Sequence, residues 1–238
     1  MKKIFEKHET PMVIILIVLY LIINPYCRRN FGTTDYRSAI INTLFSAVII
    51  GMIVSAKRTS YYGLAGVRDL KKYLYFLPLL LIASVNLWNG INIDNTAPEI
   101  LFHVITMLNV GFLEEILLRG FLFKMMEKDN LKIAMLVSAL TFGIGHIVNL
   151  FTGAEVIPTL LQICYATSVG FLFVVIFYKS KSLMPCIITH ALINILSLFN
   201  GENETFFYVG SVFLIVVPAI YAIYIWKTVK ENRESVNA

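Results

Sequence analysis

A chain of 238 residues with 58% hydrophobic and only 15% charged residues lacks the polar surface that a soluble domain of this size needs. The net charge of +5 could suit nucleic acid, but the Lys and Arg residues border apolar stretches, where they act as topology signals and contacts for anionic headgroups. Cysteines 27, 164 and 186 are far apart, which excludes a disulfide framework and a Cys-rich metal site; Cys164 and Cys186 read as small apolar core residues.

The expected fold is an all-α polytopic membrane protein. Eight apolar segments approach the ~20-residue span length: 11–26, 38–56, 73–91, 98–120, 132–150, 156–178, 183–199 and 205–226. With a cytoplasmic N-terminus, all of the 20 Lys and Arg residues except Arg28, Arg29 and Arg37 fall inside. The positive-inside rule therefore predicts both termini in the cytoplasm, with the first loop as the exception. No small-residue cleavage site follows the first apolar run, since Ile23-Asn-Pro-Tyr-Cys27 is bulky and polar, so that run is expected as a retained span. The stretch Lys57–Lys72, with Tyr61 and Tyr62, is expected to lie along the cytoplasmic surface. The chain divides into N-terminal spans with that segment (1–97), a core (98–199), and a last span and tail (200–238), within one structural domain. The first three spans and the last read as packing and enclosure.

The fourth span carries Glu114 and Glu115 side by side, each costing about 2.5–3.5 kcal/mol at a bilayer centre. Glu115 and Arg119 are four apart on one helical face and can pair. Glu114 points about 100° away and is left for another role, or is a protonated carboxyl bonded to a neighbouring helix. His103, near the outer end, reads as an interfacial residue with no chemical part. The fifth span holds Phe142-Gly-Ile-Gly-His146, with the aromatic and the imidazole on one face and glycines that permit close helix approach. The seventh span holds His190-Ala-Leu-Ile-Asn194, after Pro185 in a first-turn position. Each histidine alone would serve equally well as a hydrogen-bonded link between helices.

Depth joins the three sets. At about 1.5 Å per residue, Glu114 lies roughly 15 Å from Lys124, His146 about 21 Å from Lys132, and His190 and Asn194 about 13 and 20 Å from Lys181. All can converge in one cavity between the cytoplasmic border and slightly past mid-bilayer.

In this order, Glu114-Glu115-x-x-x-Arg119, Phe142-x-x-x-His146 and His190-x-x-x-Asn194 resemble the CAAX protease and bacteriocin-processing (CPBP, or Abi) family of intramembrane proteases. The resemblance spans roughly 98–199, without a departure at a motif position. It implies a glutamic-type endopeptidase, with relatives in peptide maturation, bacteriocin self-immunity and lysostaphin resistance. By the resemblance, Glu114 and His146 hold and deprotonate water, and His190 and Asn194 stabilise the oxyanion. Glu115 and Arg119 brace the site, and Phe142 supports it. No cofactor is implied. The alternative is a catalytic zinc on Glu114, His146 and His190, although no His-Glu-x-x-His helix is present.

The implied partner is a membrane-anchored, lipidated or amphipathic peptide, with the lipid bilayer as surroundings, no nucleic acid, and a bacterial cell membrane as location. Competing readings are a non-catalytic immunity or sensor-binding protein, an enzyme of lipoprotein modification, and a proton-relaying transporter. Against the last, no paired halves with matching broken helices are visible.

Overall fold

The computed structural model describes residues 9–65, 74–201 and 203–231. Lys2, Lys3, Lys7, Arg68, Lys71, Lys72 and Arg233, which contribute to the topology expectation, lie outside the described residues. The described chain is helical, with one isolated antiparallel bridge, Ile91–Asn200.

Among the described residues, six helices are long and apolar enough to cross a membrane. They are α1 (Glu9–Asn30), α2 (Tyr36–Ser55), α4 (Ala97–Met126), α5 (Leu131–Thr152), α6 (Val156–Ser180) and α8 (Glu204–Thr228). The expected third and seventh spans are shorter helices, α3 (Leu74–Leu87) and α7 (Met184–Phe199). Six of the eight expected spans thus have membrane length, and two fall short of it. The reason is local: α3 ends in a 3-10 turn before the polar run Asn89–Asn95, and Gly90 there has a φ of +99°. The ends of the two short helices meet, with Asn89 Nδ2 donating to Gly201 O at 2.7 Å beside the Ile91–Asn200 bridge.

Helix starts follow capping chemistry. Asp35 caps α2 by accepting from Arg37 N at 2.8 Å, and Asn130 caps α5 by accepting from Ile133 N at 3.1 Å. At the start of α4, Glu99 Oε2 accepts from Thr96 N at 2.8 Å. α6 is the axis of the bundle. Leu172 through Phe177 are consecutively buried, as for a helix covered on all sides, and α5 and α8 flank it. α4 packs between α2 and α7. α1 is peripheral: Ile14, Ile15 and Ile22 face outward, while Val13, Leu16, Tyr20 and Cys27 form its buried stripe.

Of the expected interfacial stretch, 57–65 is described, and it tucks back under the bundle. Tyr62 is fully buried, edge-on to Phe121 at 4.8 Å, and Gly63 O accepts from Leu183 N at 3.0 Å. Gly63 has a φ of +69°, and a Cβ there would lie 2.7 Å from Phe177. Arg28, expected in an outside loop, sits in the last turn of α1 and donates to Asn149 Oδ1 at 3.0 Å. This contact accounts for one of the three exceptions to the charge rule. Cys186 is buried as expected, but Cys164 is exposed on α6. An apolar thiol facing lipid loses nothing by being outside the core.

Candidate active site

Glu115, the last α-helical residue of its segment, precedes a π-helical turn from Ile116 to Phe123. Wide turns of this kind free backbone carbonyls and often mark functional sites. Here Ser138 Oγ of α5 donates to Leu118 O at 3.1 Å, tying the turn to the next helix. Arg119 and Glu115 are both completely buried, with Arg119 Nη1 donating to Glu115 Oε1 at 3.1 Å. The spacing-based pairing of Glu115 with Arg119 is present. The guanidinium lies over the Phe142 ring at 4.3 Å and near Phe173 at 5.8 Å. Gly170 makes this possible, since a Cβ there would fall 2.8 Å from Arg119 Nη2 and 2.9 Å from Phe142.

His190 of α7 joins the two carboxylates. Its Nδ1 is 2.9 Å from Glu115 Oε1 and its Nε2 is 3.6 Å from Glu114 Oε2. Its ring packs against Phe142 at 5.2 Å. Close approach of α4 and α7 brings this about, because Gly111 has no side chain to hold off the Ala191 backbone. His146 stands within α5 where its α-helical part gives way to a 3-10 segment, and it stacks edge-on against Phe142 at 5.4 Å. It lies within electrostatic reach of Glu114, His190 and Arg28. Of the two glycines before it, Gly143 touches α6, where a Cβ would collide with Thr167, while Gly145 has open space.

Asn194 lies one turn beyond His190, half-buried. Its backbone carbonyl accepts from Ser197 Oγ at 2.7 Å and meets His103 Nε2 at 3.1 Å. His103 is buried, and its Nδ1 is 3.0 Å from Thr33 Oγ1. His103, expected near the outer end with no chemical part, is a buried brace for the turn that carries Asn194.

The residue that sequence reading missed is Tyr20. Its hydroxyl donates to Glu114 Oε1 at 2.5 Å, and Asn24 Nδ2 donates to the Tyr20 oxygen at 2.9 Å. α1 is therefore part of the site and more than enclosure. The signal was present as Tyr20, Asn24 and Arg28, a polar row at i, i+4 and i+8 on an otherwise apolar helix. Glu114 is left with one oxygen bound to a phenol and the other turned to an imidazole, its side chain 13% exposed. Among the described residues no group of three His, Cys, Asp or Glu side chains has metal-binding geometry. Both nitrogens of His190 face carboxylates.

The six membrane-length helices of the described residues, around a buried cluster of carboxylates, imidazole and a guanidinium, define an integral membrane protein with a polar site inside its apolar layer. Residues 95–196 match the family model described as Type II CAAX prenyl endopeptidase Rce1-like. The match and the three motifs agree in likening this segment to CAAX-type proteases. It contains Glu114, Glu115, Arg119, Phe142, His146, His190 and Asn194, whereas Tyr20 lies outside it. No curated protein and no solved structure matches the chain.

Proposed function

We propose that this protein is an intramembrane endopeptidase that hydrolyses a peptide bond in a membrane-associated or lipidated peptide. The observation that carries the reading is the position of Glu114, held by Tyr20 at 2.5 Å and facing His190 at 3.6 Å within a segment that matches CAAX endopeptidases. Glu114, with His146 nearby, takes a proton from water, whose oxygen adds to the scissile carbonyl carbon. A positioned general base contributes about 10²–10⁴-fold. His190 Nε2 and the Asn194 side-chain amide donate to the resulting oxyanion, and the proton on Glu114 passes to the leaving amine. An oxyanion donor is worth about 2.7–4 kcal/mol. Glu115, itself held by Arg119, accepts a hydrogen bond from His190 Nδ1–H and fixes the ring; with Nε2–H given to the oxyanion, His190 acts in this step with both ring nitrogens protonated.

In this reading α3 and α7 complete the passage between the two ends of the bundle, making eight crossings with both termini on the cytoplasmic face of a bacterial cell membrane. The substrate presents its scissile bond from the inner leaflet. Water, and no metal, is the nucleophile's source. A farnesylated CAAX peptide is the probe. E114A and H146A should abolish its cleavage while near-ultraviolet circular dichroism shows an intact fold. Full activity in either variant would refute the assignment. Chelators should leave the rate unchanged; loss on chelation with recovery on adding zinc would transfer Glu114, His146 and His190 to metal ligation.

A further inference from the structure

α2 carries Ser38, Asn42 and Ser46, four apart and all buried in a helix that is otherwise mainly aliphatic. Ser38 Oγ donates to Gly32 O at 2.6 Å, and Asn42 Nδ2 donates to Ser38 O at 2.9 Å. Asn42 Oδ1 and Ser46 Oγ have no hydrogen-bond partner in the protein, although these residues are 1% and 4% exposed. Polar oxygens buried at membrane depth without a partner are costly, and in folded proteins such groups are the usual binding sites of internal water.

Two contacts fix where these oxygens point. Phe45 stacks on Tyr20 of α1 at 6.4 Å, and Thr43 Oγ1 accepts from Asn109 Nδ2 of α4 at 3.0 Å. At about 100° per residue, Asn42 and Ser46 project between those two directions, into the wedge between α1 and α4. Tyr20 and Glu114 meet in that same wedge. α2 and α4 run in the same direction, and the Thr43–Asn109 bond sets their register. Ser46 is therefore level with residue 112, about 3 Å along the axis from Glu114. Thr106 of α4 lies about 60° round from Asn109 toward Glu114. Its buried hydroxyl donates to Phe102 O and keeps lone pairs free to accept.

We propose that Asn42, Ser46 and Thr106 hold a short file of internal water that leads from the 31–35 loop to Glu114 and delivers the water consumed in hydrolysis. The catalytic part of this rests on the proposed peptidase reading. Spread about 9 Å along the axis, the three groups give successive waters of the file a protein partner, with neighbouring waters completing the two to four bonds that each requires. The file enters from the end of the bundle opposite the Lys- and Arg-rich loops, so water and a membrane-borne peptide would reach Glu114 from different sides.

The test uses full-length protein in lipid nanodiscs and radiolytic hydroxyl-radical labelling read by mass spectrometry. Radicals made from bound water should label Phe45 and Met107, which flank the file, above lipid-facing Leu44 on the same helix. In N42L/S46A that labelling should fall to the Leu44 level. S46A alone, which removes one oxygen and opens almost no space, should lower it in part, so the outcome does not depend on the double variant folding. Equal labelling of Phe45, Met107 and Leu44 in the wild type, or labelling unchanged in both variants, would overturn the water file. With the farnesylated CAAX peptide, N42L/S46A should lower kcat about tenfold, the scale of one hydrogen bond, and leave KM in place. A kcat equal to wild type would overturn the supply role. A wild-type protein that cleaves no such peptide removes the peptidase reading, while the labelling still decides the water file.

Discussion

Replacing Arg119 by Met keeps an unbranched apolar stem and removes the charged head from a fully buried site. Glu115 would then keep only His190 Nδ1, at 2.9 Å, and its Oε2 already lacks a partner. Breaking a buried pair by removing one member costs about 3–5 kcal/mol, because the remaining charge is left in low dielectric. The Phe142 and Phe173 faces, which meet the guanidinium at 4.3 and 5.8 Å, would lose a cation worth about 2 kcal/mol when desolvated, a loss that falls within the same range. Removing both charges in E115Q/R119M should recover most of that loss, with a coupling of up to about 3 kcal/mol. The assay is SDS-titrated unfolding in bicelles, followed by near-ultraviolet circular dichroism. If R119M unfolds within about 1 kcal/mol of wild type, the pair is no stronger than an exposed one and the reasoning fails. An E115Q/R119M double variant as unstable as the sum of its parts would also defeat it.

Y20F should lower kcat for the farnesylated peptide about tenfold or more, since a hydrogen bond to a charged group is worth about 1.5–3 kcal/mol. KM should hold, because the ring still stacks on Phe45, and a proportional loss of folded protein instead would mark a packing role. G170A should destabilise by about 1–3 kcal/mol, as its methyl would force Arg119 and Phe142 apart; unchanged SDS unfolding would contradict the tight fit. Outside the membrane layer, the Arg37 side chain and backbone N–H hold the Asp35 carboxyl down to about 2. A depressed carboxylate stabilises above its unfolded value and loses that contribution as pH falls through the folded one. The melting difference between wild type and D35N should therefore be constant near neutrality and close between about pH 4 and pH 2. A difference that persists unchanged at pH 2 would rule out the ionised cap.

Much of the core could be read from the chain because spacing along a helix is a geometric constraint. Four residues return to one face, so Glu115–Arg119, Phe142–His146 and His190–Asn194 each had to share a side, and burial in lipid forced the charges among them to find one another. Apolar run length likewise gave the helical, membrane-embedded class and the approximate place of each helix. Tertiary structure alone decided what meets across the chain. Tyr20 bonds Glu114 from 94 residues away, His103 braces Asn194, and Gly170 admits the Arg119 guanidinium. The shortness of α3 and α7, the π turn after Glu115 and the inward tuck of Tyr62 also depend on neighbours. Periodicity fixes the direction a side chain takes from its own axis, but how two axes are rotated and staggered against each other is set by close packing between segments far apart in sequence.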